Sequence, residues 1–125
     1  MNFLMEAIDL KQLIYAINDQ KGLDINFCMD EGCVYPLSDK KMFIKVLNYL
    51  LNYMNSLHDS AFDLSLELLA DKFQLSMISA IHSDLPQLAD GITEQLTPEH
   101  ITFNHTHEAG KFLQLRLSFP LKQGS

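Results

Sequence analysis

The spacing of apolar residues changes along the chain, and each change marks an element. Leu10, Leu13, Ile14 and Ile17 fall at i, i+3, i+4 and i+7, the stripe of a helix that buries one face. Asp9 stands where an N-cap belongs, and Gly22 stands where a left-handed residue would stop the helix. Met1 to Ala7 reads as an extension of this helix or as a short arm. From Leu23 to Met29 the period drops to two, with Ile25, Phe27 and Met29 on one face of a strand. Asp30-Glu31-Gly32 is a turn, and Cys33-Val34-Tyr35 is a short second strand ended by Pro36, which cannot donate to a ladder.

The strongest periodic signal follows. Phe43, Val46, Leu47, Leu50, Leu51 and Met54 form the stripe of a second helix, capped by Ser38 or Asp39. Lys41, Lys45, Asn48, Asn52 and Asn55 lie around its opposite side. Phe62 to Leu68 alternates, Ala70-Asp71-Lys72 turns, and Phe73 to Ile81 returns, which makes a hairpin. Residues 83–99 are irregular, with Pro86, Gly91 and Pro98 and room for a short helix from Leu85 to Leu96. Ile101 to His105 is a strand, residues 107–110 turn, and Lys111 to Leu121 is a long apolar strand that belongs in a central or well-covered place.

This order gives an α/β (α+β) fold: a two-layer sandwich, with a mixed, mostly antiparallel sheet and the helices on one face. The 125 residues suit one domain over 1–125, with 122–125 a disordered tail. Nine basic residues against sixteen acidic ones leave a net charge of −7, which argues against nucleic acid and anionic membranes as partners and favours a basic docking surface. No apolar run spans a bilayer, the N-terminus lacks a signal-peptide pattern, and a cytoplasmic location is expected.

The chemistry-bearing residues form few constellations. Cys28 and Cys33 read as free thiols in or near the core rather than as metal ligands or a disulfide framework. Of His58, His82, His100, His105 and His107, only His105 and His107 share a strand face, and two ligands at a hairpin end make a weak metal site. Asp63 and Glu67 share a face of the first hairpin strand, which reads as solvated rather than as a catalytic acid pair. Met42, Met54 and Met77 read as core filler.

From Ala7 to about Met54 the pattern resembles the ATP-binding domain of sensor histidine kinases, of the GHKL or Bergerat type. The carriers are Ile8-Asp9-Leu10, the helix to Gln20, the strand Ile25 to Met29, Val34-Tyr35, Asp39 and the helix from Phe43 to Ser56. The family's N-box looks like Val-Leu-x-Asn-Leu-Leu-x-Asn-Ala, and Val46 to Met54 matches it without a gap. The two family asparagines, the second a holder of magnesium, then fall on Tyr49 and Tyr53. A register shifted by one would make Asn48 and Asn52 the pair, but helix geometry puts Tyr53 on the rim of the apolar stripe and Asn52 on the far side. Asn48 and Asn52 are therefore expected to face solvent.

The family's Asp-x-Gly-x-Gly box falls on His82-Ser83-Asp84-Leu85-Pro86-Gln87-Leu88, where Asp84 is the residual acid and Pro86 and Leu88 replace glycines. No second glycine box follows, and the interval to Ile101 is too short for a lid and a further helix. The resemblance thus implies a degenerate domain, similar to the second domain of bacterial histidine phosphotransferases, with no cofactor, no metal and no catalytic residue. It implies a non-catalytic signalling module whose partner is a response regulator, a histidine kinase or a second copy, the last through a helix extended by Phe3, Leu4 and Met5. The alternatives are a minimal ATPase or kinase using Asn48 or Asn52 with Asp84, and a sensor holding a small ligand between sheet and helix.

Overall fold

The computed structural model describes residues 5–57, 61–81 and 87–121. The expected residual acid Asp84, the histidines His58 and His82, and the tail 122–125 lie outside the described residues. Element order is β1 (Glu6–Asp9), α1 (Leu10–Lys21), β2 (Ile25–Met29), β3 (Val34–Leu37), α2 (Lys40–Asn55), β4 (Phe62–Leu68), β5 (Lys72–Ala80), α3 (Ile92–Leu96), a 3-10 turn (Thr97–Glu99), β6 (Thr102–Glu108) and β7 (Phe112–Pro120).

Five strands form the main sheet in the order β2-β4-β5-β7-β6. Only the β2–β4 pair is parallel, and the other three pairs are antiparallel. The sheet is mixed and mostly antiparallel, as the alternation in the sequence requires. Burial follows the period of two: in β5 and β7 every second residue points into the core and the residues between are half-buried. The core fills the space between this face and α1 and α2, with Phe62, Leu64, Leu75, Met77, Leu115 and Leu117 meeting Phe43, Leu47, Leu50, Leu51 and Met54. Each such side chain contributes roughly 1.5–3 kcal/mol of burial. The long apolar β7 lies between β5 and β6, the interior place its composition demands.

Helix ends follow the sequence signals. Asp9 Oδ1 accepts from Gln12 N at 3.2 Å, and Asp39 Oδ1 accepts from Met42 N at 3.0 Å. Of the two residues considered for the second cap, it is Asp39 that caps α2. Gly22 ends α1 at φ 66°, a conformation that is strained for a residue with a Cβ, and its N–H donates to Asn18 O at 2.7 Å.

Four expectations are corrected. Of the stretch Met1 to Ala7, expected to extend the helix or form an arm, Glu6 and Ala7 instead begin β1, which pairs antiparallel with β3, while residues 1–4, with Phe3 and Leu4, lie outside the described residues. Pro36 does not end the second strand, because β3 runs through it to Leu37. The strand has only one partner, so half of its N–H groups need no ladder acceptor, and a proline is tolerated there. In the described part of the helix expected from Leu85 to Leu96, only Ile92–Leu96 is helical and residues 87–89 have no regular structure; Leu85 and Pro86 lie outside the described residues. The strand expected at Ile101 to His105 continues to Glu108, so the turn begins at Ala109. Among the described residues no helix is long and apolar enough to cross a membrane.

Candidate functional site

α2 has two flanks besides its buried face. One flank meets α1, where Ile44 and Asn48 line a cleft with Leu13 and Ile17. The other flank carries Tyr49 and Tyr53 and meets α3. The helical repeat explains the split. Residues 44 and 48 are four apart and stack in one row, while 49 and 53, five residues further on, form a row about 140° around the cylinder.

Tyr53 is buried at 8% exposure and Tyr49 is half-buried. Their rings lie 6.2 Å apart between centroids, at 36°. The Tyr49 hydroxyl accepts from the Ala89 N–H at 2.7 Å, which ties the segment after β5 to the helix. A second tie lies at the other end of α2. The buried Glu99 carboxylate accepts from Ser38 N at 2.9 Å, Ser38 Oγ at 2.8 Å and Asp39 N at 2.9 Å. Its backbone carbonyl accepts from the Tyr35 hydroxyl at 2.5 Å. Residues 89–99 therefore run back along α2, from Tyr49 to the first turn. A carboxylate at a helix N-terminus also meets the positive end of the helix dipole. Ile92 and Leu96 are the buried side chains that press α3 against the core.

Burial pushes the Tyr53 phenol up, and Tyr49 adds to the effect. Burial, then the Glu99 charge, does the same to Tyr35. Burial raises the Cys33 thiol, helped by Asp30, Asp9 and Glu31. In all three the folded value lies above the unfolded one, so their contribution is complete below the unfolded value and is lost as pH rises through the folded value. Stability is expected to be level to the ordinary cysteine value of 9.0 and to fall above it, with the tyrosines joining from 10.0. Denaturant midpoints across the alkaline range check this, and Cys33→Ala is expected to move the onset upward. A midpoint that climbs in that window contradicts the assignment.

The remaining candidates are scattered. Asn48 is not solvent-facing as expected: it is half-buried beside α1 and its Nδ2 donates to Ile44 O at 3.0 Å. Asn52 is exposed on the outer side of α2. Neither is on the flank that meets residues 89–99. Both cysteines are free thiols; Cys33 is buried as expected, but Cys28, expected in or near the core, is exposed because it alternates with the inward-facing Phe27 and Met29 on β2. His105 and His107 share one face of β6, as expected, and are exposed, and no group of three or more His, Cys, Asp or Glu among the described residues could hold a metal. Asp63 accepts from Asn26 Nδ2 at 3.0 Å on the outer face of the sheet. An open cleft of about 500 Å3 lies between residues 88–94 and Phe103 to His105 of β6.

No family model matches the sequence, and no curated protein matches it either. Solved structures do match. The catalytic domain of histidine kinase ThkA, in a nucleotide-free form, superposes with a TM-score of 0.72 at 13% identity, covering 94% of this chain and 96% of that one. The Acinetobacter baumannii histidine kinase AdeS gives 0.71 at 12% identity, over 98% of this chain and 70% of that one. The chain has the fold of a histidine-kinase catalytic domain. A longer ThkA chain, solved in complex with response regulator protein TrrA, matches this histidine-kinase fold with a TM-score of 0.62 at 14% identity, over 93% of this chain and 41% of that one. The GHKL resemblance in the sequence thus extends to the architecture.

Sequence reasoning missed Glu99 and Tyr35. In a histidine-kinase-type domain whose segment after β5 is irregular, nothing in Thr97-Pro98-Glu99 distinguishes a buried carboxylate from a solvated one. The one usable signal is the backbone N–H of the cap residue Asp39, which a helix start leaves in need of an acceptor.

Proposed function

We propose that this domain is a non-catalytic, histidine-kinase-like module of cytoplasmic signal transduction that acts through protein contacts and does not use ATP. One observation carries the reading. The flank of α2 that bears the N-box positions is covered by residues 89–99, with Tyr53 buried and the Tyr49 hydroxyl held by Ala89. In the kinase pattern those two positions are asparagines, and the second holds magnesium. A buried phenol offers a metal ion no carbonyl oxygen, and its raised value keeps it protonated and uncharged at neutral pH. The sequence adds that Gly91 is the single glycine between Ile81 and Ile101, so little backbone is free to approach phosphates.

The partner is a signalling protein: a response regulator, a histidine kinase or a second copy of this chain. The matched ThkA chain, solved with a response regulator, supports that class. Calorimetric titration with ATP and ADP, with and without magnesium, tests the reading. No heat at millimolar nucleotide is expected. Micromolar binding that tightens with magnesium would overturn it and return attention to Asn48, Asn52 and Asp84.

A further inference from the structure

The chain carries a net charge of −7, yet its charge is segregated. α1 and α2 hold Lys11, Lys21, Lys40, Lys41 and Lys45, five of the nine basic residues, against one acid, Asp19. Lys11 pairs with Glu31 and Lys40 with Glu6. Among the described residues Lys21, Lys41 and Lys45 make no ion pair. Two adjoining clefts, of about 430 and 330 Å3, share Leu13 and Ala16 and together form a groove between the helices. Leu13, Ile17 and Ile44 are half-buried in it, and Ala16 is exposed, so a small residue lies where a partner backbone could come close. Lys21 lines one end; Asp9 and Lys40, the latter paired with Glu6, line the other; and Lys41 and Lys45 are exposed on the outer side of α2, outside the lining of the groove.

We propose that the groove between α1 and α2 is the docking site for an acidic, amphipathic helix of a partner protein. The apolar floor runs along helices of 12 and 16 residues, long enough for three or four turns of a third helix packed into the same layer. A helix seated there presents apolar residues at i, i+3, i+4 and i+7 to the floor, and glutamates or aspartates beside them meet the unpaired lysines. Three unpaired lysines on a chain of this net charge are too few to hold an anionic bilayer or a nucleic acid, each of which needs a broader basic surface. This groove lies on the opposite flank of α2 from Tyr49 and Tyr53. The proposal rests on the protein-contact reading and gives it a surface.

The test is a nuclear magnetic resonance titration of the labelled protein with a synthetic helix of about 18 residues. One version carries leucines on one face and glutamates beside them; the control replaces the glutamates with lysines. Shifts confined to Leu13, Ala16, Ile17, Ile44 and Asn48 are expected for the acidic helix alone, weakening several-fold as salt is raised. Lys21→Glu, which reverses the charge lining one end of the groove, is expected to weaken binding about fivefold, and Ile44→Glu at least about tenfold. Equal binding by the lysine helix, or shifts spread over the sheet, overturns the proposal. So does self-association through the same residues in the absence of peptide, or a response of these residues only to phosphatidylglycerol vesicles. A nucleotide titration on the same sample separates the two readings. Nucleotide binding beside intact groove shifts sinks the non-catalytic function and leaves the groove. Silent nucleotide without groove shifts sinks the groove alone.

Discussion

Phe119→Ala is expected to destabilise the domain by about 4 kcal/mol, the upper range for removing a fully buried ring. Phe119 has no exposed surface. It stacks on Phe73 with centroids 4.6 Å apart at 11°, and meets Tyr35 at 5.2 Å and Phe43 at 5.9 Å edge to face. Four elements, β3, α2, β5 and β7, therefore meet on one ring. Truncation removes the transfer energy of the side chain, three aromatic contacts and the packing that keeps them in place. For a domain of this size the melting temperature should fall by about 15 °C. Phe119→Leu, which keeps most of the volume, is expected to cost only about 1.5 kcal/mol. Urea midpoints for the two variants check the pair. A cost near 1 kcal/mol for alanine would mean that the neighbours collapse into the space and that the ring cluster is not what joins the layers.

The second large effect is expected at Glu99. Glu99→Ala leaves Ser38 N, Ser38 Oγ and Asp39 N without their acceptor and removes a charge from the start of α2. A loss of about 3 kcal/mol is expected, because bonds to a charged acceptor are worth more than neutral ones and the donors are partly buried. Glu99→Gln should cost nearly as much: its amide group must turn an N–H toward donors that need an oxygen. Denaturant midpoints measure the loss, and hydrogen exchange locates it. Faster exchange should appear at Ile92 to Glu99 and in the first turn of α2, with β4 and β5 unchanged. Uniform loosening, or a change below about 0.5 kcal/mol, would show that water replaces the carboxylate and that residues 89–99 are held by Tyr49 and the apolar contacts of α3 instead.

The elements that read most clearly in the sequence are those whose burial is one-sided and regular. α2 is legible because Phe43, Val46, Leu47, Leu50, Leu51 and Met54 must share one face, and β4 runs from Phe62 to Leu68 as the alternation has it. The same regularity places Tyr53 at the edge of the stripe and Asn52 opposite, and both lie there. β1 was illegible for the opposite reason. Four residues, Glu6 to Asp9, with only Ile8 well buried, have no period to detect, and they become a strand because β3 lies alongside. Pro36 misled for a related reason: a proline forbids a ladder on both sides of a strand, but β3 is paired on one side only.

The candidate site divides in the same way. Its positions on α2 follow from the helical repeat, so Tyr49 and Tyr53 could be placed before any coordinates. What covers them could not. Residues 89–99 have no strong pattern, and their course is set by two contacts that are distant in sequence, Ala89 to Tyr49 and Glu99 to Ser38 and Asp39. The groove on the other flank of α2 was equally hidden, since it depends on how closely α1 and α2 approach and not on either helix alone.

The sequence by itself determined the two long helices, the cap of the first, the alternating strands and the net negative charge, because each is set by residue type or by neighbours within a few residues along the chain. Only the tertiary structure decided the pairing of β1 with β3, the burial of Glu99 and the meeting of four elements on Phe119. It also set Lys21 and Lys40 at the two ends of one groove. Each of these joins residues tens of positions apart, and their energies come from contacts that exist only once the layers have packed.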